Sequence, residues 1–178
     1  EPGTTGSRAS ALAFGAPQTS EPTADTNFYL FIGTTGGRLL VTYNGGGTWL
    51  DRTNGLDGTQ IQRIIPNPER GSREAYVITQ RGIFWKADMA DGATAFSNIT
   101  GNLYALTSNA YGDASMSFNL MQSAQNPLTS LVVDWRYLIP DNLAAPNGPS
   151  HPILYVAGKA GVTYCIEPLA PPDNTYIH

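Results

Sequence analysis

The feature that most constrains the fold of this chain is an internal repeat. Three segments share one design, in which a Tyr begins an apolar strand, a polar turn closes with Gly, and a second apolar strand follows. They begin at Tyr29, Tyr76 and Tyr155. A further apolar segment precedes the second and third of these hairpins, at 61–66 and 130–135. Repeated hairpins of this kind predict an all-β fold built from antiparallel sheets.

The turn that follows the first hairpin has a recognisable composition. Residues 42–49 read Thr-Tyr-Asn-Gly-Gly-Gly-Thr-Trp and lie between two predicted strands. The Asn44 side chain can accept hydrogen bonds from backbone N–H groups, and the glycines permit positive φ angles. Trp49 is expected to lie in a gap between neighbouring sheets, because its indole ring is largely apolar. A more degenerate version of the turn at 89–96 keeps Asp91, Gly92 and Phe96.

This turn resembles the Asp-box, or bacterial neuraminidase repeat, whose pattern is Ser/Thr-x-Asp-x-Gly-x-Thr-Trp. The matching residues are Thr42, Gly46, Thr48 and Trp49, and Asn44 stands where the family usually has Asp. The resemblance extends to sortilin-type and xyloglucanase-type blades and implies a β-propeller of four-stranded antiparallel blades. It also implies that the box is a structural staple at the outer turn of a blade, whereas ligands are usually bound at the axial face.

The spacing of the two boxes sets the length of one repeat. Trp49 and Phe96 lie about 47 residues apart in the sequence, close to the length of one four-stranded blade. The chain therefore holds about two and a half to three blades and forms an incomplete ring, because closed propellers need at least four. We predict a loose segment at 1–26 with one candidate strand, a first blade at 27–58, a second at 59–102 and a partial third at 103–178.

The third unit differs from the others by two predicted loop insertions, 103–127 and 137–150. Long loops in a compact repeat are often functional, and Tyr104 and Tyr111 in the first insertion are candidate recognition residues. After Ile166 the chain becomes rich in Pro and is not expected to continue as a central strand. The rest of the propeller is expected from other segments of a longer polypeptide, with another chain as the alternative.

Composition and charge exclude several classes of function. Acidic residues outnumber basic ones by 14 to 10, and the basic residues are scattered, so nucleic acid is not an expected partner. No apolar run approaches the roughly 18 residues that span a bilayer. Cys165 is the chain's one cysteine and is expected to be a buried, inert thiol. His151 and His178 are expected to be exposed, without a carboxylate cluster, so no metal or other cofactor is expected.

Two enzyme classes are suggested by the resemblance. Sialidases of this family use three arginines, a Tyr with a Glu partner and an Asp around the propeller axis, and no arginine here lies in a matched motif. A glycoside hydrolase needs two carboxylates about 5 to 10 Å apart. Asp134 is the better candidate for such a pair and Asp57 the weaker, but turn capping is the more common role of Asp at such positions.

These observations favour a non-catalytic scaffold or interaction module that forms part of a larger extracytoplasmic protein or assembly. A polysaccharide-acting, glycoside hydrolase-like propeller is the alternative. The expected partners are protein segments or subunits that complete the propeller. Glycans are a second candidate class of partner, because exposed aromatic rings can stack on sugars. Proteins with this repeat are commonly extracytoplasmic, and the low Lys content agrees with that location.

Overall fold

The computed structural model describes residues 6–18, 28–101, 103, 107–108, 118–119, 128–140, 144, 147–148, 150–158, 161–166 and 176–177. Within these residues, the strands form three four-stranded antiparallel sheets and one two-stranded pair. The chain divides into two compact units, Glu1–Asn98 and Ile99–His178. The observed sheets confirm the prediction of an all-β fold with four-stranded antiparallel sheets.

The first sheet belongs to the first unit and follows the order of the sequence, β1-β2-β3-β4. Its strands are β1 (Ala9–Phe14), β2 (Leu30–Thr34), β3 (Leu39–Thr42) and β4 (Leu50–Asp51). Successive side chains point to opposite faces of a strand. Phe31 and Val41 are paired across β2 and β3 and are fully buried on one face. That face packs against the second sheet.

The second sheet completes the first unit and has the order β5-β6-β7-β8. Its strands are β5 (Ile61–Pro66), β6 (Ala75–Thr79), β7 (Ile83–Lys86) and β8 (Ser97–Asn98). Every residue of β6 is buried, so both faces of this sheet are covered. The two sheets approach closely at Gly33, where an added Cβ would lie 2.5 Å from Cγ2 of Ile61. Their shared core contains Tyr29, Phe31, Leu39, Val41, Ile61, Ile64, Ala75, Val77, Phe84, Met89 and Phe96.

The second unit contains a two-stranded pair and the third four-stranded sheet. The pair joins β9 (Thr107–Ser108) to β10 (Phe118–Asn119) inside the segment that the sequence predicts as a loop insertion. The third sheet has the order β11-β12-β13-β14. Its strands are β11 (Leu128–Pro140), β12 (Ser150–Gly158), β13 (Gly161–Cys165) and β14 (Tyr176–Ile177).

One expectation about the third sheet is wrong, and the sheet has an edge strand that the sequence did not predict. The predicted loop 137–150 begins inside β11, because the β11–β12 hairpin extends as far as the pair Pro140 and Ser150. The register shifts between Asp134 and Leu138, so β11 bulges over 135–137 and then resumes pairing. The fourth strand, β14, follows the Pro-rich segment and pairs with β13, which makes this sheet as complete as the other two. The predicted blade boundaries at 27, 59 and 103 stay a prediction.

Candidate functional site

The first box turn is held together by its own side chains. Oδ1 of Asn44 accepts hydrogen bonds from the backbone N–H of Thr48 at 2.8 Å and from the hydroxyl of Thr42 at 2.9 Å. The Asn44 amide also donates to Oγ1 of Thr48 at 3.0 Å, and the N–H of Gly46 donates to Oγ1 of Thr42 at 3.0 Å. Gly46 has a φ of 98°, a conformation that favours glycine. These contacts close the turn on itself and suit a structural role.

Trp49 does not lie enclosed between sheets, so that expectation is wrong. Its side chain is 38% exposed, and its ring lies across Gly46 of the same turn. The strand that follows it, β4, is only two residues long and exposed along its length. A strand so short offers no second surface that could cover the indole ring.

The second box turn uses a carboxylate where the first uses an amide. Oδ1 of Asp91 accepts from the backbone N–H of Ala93 at 2.8 Å, and Oδ2 accepts from the hydroxyl of Thr94. The hydrogen bonds from Thr94 and then Ala93 hold the pKa of Asp91 below its usual value. Phe96 is buried in the shared core of the first unit, and Gly92 lies against the guanidinium of Arg52.

Arg52 links the two sheets and was not singled out by the sequence. It follows β4 of the first sheet, and its Nε and Nη2 donate to the carbonyl oxygens of Met89 at 2.7 Å and Ala90 at 3.0 Å. Both carbonyls belong to the turn that carries the second box. No local pattern distinguishes this arginine from the others, because its acceptors lie 37 and 38 residues away in the sequence.

A small pocket of about 140 Å³ lies beside the second box turn, and Lys86 is its buried cation. Lys86 donates to the carbonyl oxygen of Thr94, and burial lowers the pKa of its amine. Asp88 and Asp91 line the same pocket. Because Lys86 is already hydrogen-bonded within the turn and charges of both signs line the pocket, we assign the pocket a structural role in this turn.

The two carboxylates considered for glycoside hydrolysis have structural partners. Asp134 accepts from Nε of Arg136 at 2.9 Å and from its Nη2 at 3.0 Å, and these hydrogen bonds lower the pKa of Asp134. A general acid needs a raised pKa, so this environment acts in the wrong direction. Asp57 accepts from the hydroxyls of Thr59 and Thr79, both at 2.8 Å. Each carboxylate therefore stabilises local structure.

Among the remaining candidate residues, the structure contradicts one expectation, agrees with one and leaves three residues undescribed. His151 is buried, contrary to expectation, with Nε2 2.7 Å from the carbonyl oxygen of Ile166, because β12 begins earlier than predicted. Cys165 is buried as expected. Tyr104, Tyr111 and His178 lie outside the described residues.

The described residues lack two kinds of feature. They contain no set of three His, Cys, Asp or Glu side chains placed to hold a metal ion. In that same part of the chain, no helix has the length and apolar character needed to cross a membrane.

One face of the first sheet is apolar and open, and we call it the Leu12 face. Leu12 is paired with Ile32 and Phe14 with Leu30, so all four point to the side opposite the shared core. Leu12 is 65% exposed and Phe14 is 59% exposed. The face consists of Leu12, Phe14, Leu30, Ile32 and Leu40.

A second open apolar face belongs to the third sheet, and we call it the Tyr155 face. Val132 pairs with Tyr155, and Tyr155 pairs with Tyr164, so the three form a row across the sheet. Val132 is 52% exposed and Tyr155 is 39% exposed, whereas the opposite face of the sheet is buried. The face consists of Val132, Tyr155, Val162 and Tyr164.

The repeat places equivalent tyrosines on covered faces in the first two sheets and on an open face in the third. Tyr29, Tyr76 and Tyr155 begin the equivalent strand of the three hairpins. Tyr29 is 2% exposed in the core shared with the second sheet, and Tyr76 is also fully buried. Tyr155 is the member of this series that remains exposed. The alternation of apolar residues in the sequence predicts which residues share each face. It does not predict which of these faces a neighbouring sheet covers.

Comparisons with known proteins bear on the fold. No family model matches the chain, and no curated protein sequence matches it. The chain is similar in structure to the β-propeller YCF48 from Cyanidioschyzon merolae, with a TM-score of 0.52 and 15% identity over 99% of this chain and 38% of that one. A structure of YCF48 bound to D1 peptide is matched with a TM-score of 0.36 and 11% identity, over 97% of this chain and 53% of that one.

The chain thus spans well under two thirds of the length of either structure. Membership of the Asp-box family stays a prediction. The sheet topology and the likeness to the Cyanidioschyzon structure establish that this chain has the fold of an incomplete β-propeller.

Proposed function

We propose that this chain is a non-catalytic β-propeller module that serves as a scaffold for binding other protein segments, and that it acts through its two open sheet faces. The observation that carries the proposal is the exposure of the Leu12 face and the Tyr155 face. Soluble monomers rarely expose contiguous apolar patches of more than a few hundred Å², and larger patches mark interaction sites. Fully burying one Leu, Val or Phe side chain contributes about 1.5 to 3 kcal/mol.

The pairing of Asp134 with Arg136 supports the non-catalytic part of the proposal. Both oxygens of this carboxylate accept hydrogen bonds from one guanidinium, which keeps the group ionised. A carboxylate fixed in this way is suited to shaping the β11 bulge. The other candidate carboxylate, Asp57, is held by threonine hydroxyls.

We place the module in a larger extracytoplasmic protein or assembly. The support for that location is compositional, since the chain is poor in Lys and rich in Gly, Thr and Asn. The segment 103–127 and the extended β11–β12 hairpin are the proposed sources of partner specificity, because insertions into a repeat vary without disturbing its core. Tyr104 and Tyr111 remain the proposed recognition residues of the first segment.

The experiment that tests the proposal compares two masses. The intact mass of the native chain and the mass of its native complex are measured beside the 19.0 kDa of this sequence. We expect a native species well above 19.0 kDa, either as a longer polypeptide or as a complex with another protein. A native species that is a single 19.0 kDa monomer would contradict the interaction role.

The non-catalytic part has its own measurement. The chain is assayed for hydrolysis of polysaccharides, together with the variant Asp134→Asn. Neither protein is expected to release sugar. Turnover by the natural chain that disappears in Asp134→Asn would show that the carboxylate is catalytic and would overturn this part of the proposal.

A further inference from the structure

We propose that the two open faces are complementary to each other, so that the chain self-associates head to tail, with the Tyr155 face of one copy against the Leu12 face of the next. The inference rests on the proposed function and names a partner, a second copy of this chain, for the same surfaces. The interface that already exists between the first and second sheets supports this contact.

That interface provides the pattern for the contact between copies. The covered face of the first sheet, which carries Phe31 and Val41, packs on the face of the second sheet that carries Val77 and Phe84. In the repeat, Val77 follows Tyr76 as Leu30 follows Tyr29. The Leu12 face, which contains Leu30, is therefore the counterpart of the second-sheet face that packs against the first sheet.

The other half of the contact follows from the tyrosines. Tyr29 is buried in the core that the first and second sheets share, and Tyr155 holds the equivalent position in the third sheet. The Tyr155 face is thus the counterpart of a face that a neighbouring sheet covers. Placing the Leu12 face of a second copy on it repeats a sheet-on-sheet contact that this sequence already forms.

The charges beside the two faces permit this contact. Asp51 lies next to Leu40 in the first sheet and is paired with Arg38 at 2.7 Å. Asp134 follows the row of Val132 and is paired with Arg136 at 2.9 Å. Because each carboxylate already has its cation, the contact leaves neither of them unpaired. Two different faces that pair in this way make a heterologous interface, which gives either a ring or an open chain of copies.

Sedimentation equilibrium of the purified 178-residue chain tests the inference with the variants Leu12→Asp and Val132→Asp. The natural chain should rise above 19.0 kDa as its concentration increases. Each variant alone should stay at that monomer mass, because an Asp in the apolar contact weakens association by more than about tenfold. An equimolar mixture should form dimers, since Leu12→Asp keeps its Tyr155 face and Val132→Asp keeps its Leu12 face.

Leu50→Asp is the matched control. Leu50 is also an exposed apolar residue of the first sheet, but it pairs with Val41 and so points to the side opposite the Leu12 face. This variant should associate like the natural chain. Circular dichroism checks that each variant is folded, and Phe14→Asp or Val162→Asp replaces one that is not.

Three results would overturn the inference: a natural chain that remains monomeric at all concentrations, Leu12→Asp or Val132→Asp still associating by itself, or a mixture of these two variants that fails to dimerise. A monomeric natural chain together with a heavy native species would remove the self-association alone. The proposed function would then stand, with other protein segments on the two faces.

Discussion

Asn44 concentrates the hydrogen bonds of the first box turn in one side chain. Its Oδ1 accepts from Thr48 and Thr42, and these bonds are lost in Asn44→Ala. We expect this variant to lower the free energy of unfolding by about 1 kcal/mol, the usual loss for a removed capping side chain. Urea titration measures the change. Asn44→Asp keeps the acceptor oxygen and should lose less; equal losses in both variants would show that this oxygen does not stabilise the turn.

At the scale of elements, Arg52 ties the strand β4 of the first sheet to the turn that follows β7 of the second. Arg52→Ala removes two charge-assisted hydrogen bonds to carbonyls of the second sheet's turn and a local one to the carbonyl of Asp51. We expect a loss of about 2 kcal/mol in the free energy of unfolding. Arg38→Ala, which breaks an exposed ion pair in the first sheet, is the control and should lose less than about 1 kcal/mol. Similar losses would mean that Arg52 does not join the sheets.

The whole molecule carries a net charge of −4 at pH 7 and has an isoelectric point near 5.0. Copies of the chain therefore repel one another at neutral pH, and this repulsion falls as the pH is lowered toward the isoelectric point. We expect association to strengthen and solubility to fall from pH 8 to pH 5. Light scattering at matched ionic strength measures both. Association that weakens over this range would show that net charge does not oppose it.

The features that sequence alone predicted are those set by neighbouring residues. The Tyr-led hairpins follow from apolar runs broken by Gly, and the turn at 42–49 closes through contacts within a few residues of Asn44. Such interactions join residues that are close in the sequence, so the residue types and their spacing are enough to predict them. The same reasoning predicted four-stranded sheets and an incomplete ring, because the repeat length and the number of repeats can be counted.

The tertiary structure decided what depends on distant parts of the chain. β14 pairs with β13, although a Pro-rich segment separates the two strands in the sequence. β12 begins early enough to include His151, which the local sequence pattern predicted to lie in a loop, and this residue is buried. The sequence also could not predict which sheet faces are buried, since Tyr29 and Tyr155 share one sequence context and differ in burial. Local sequence determines where a strand forms and which residues share a face; only the packing of one sheet on another determines which of those faces remains in water.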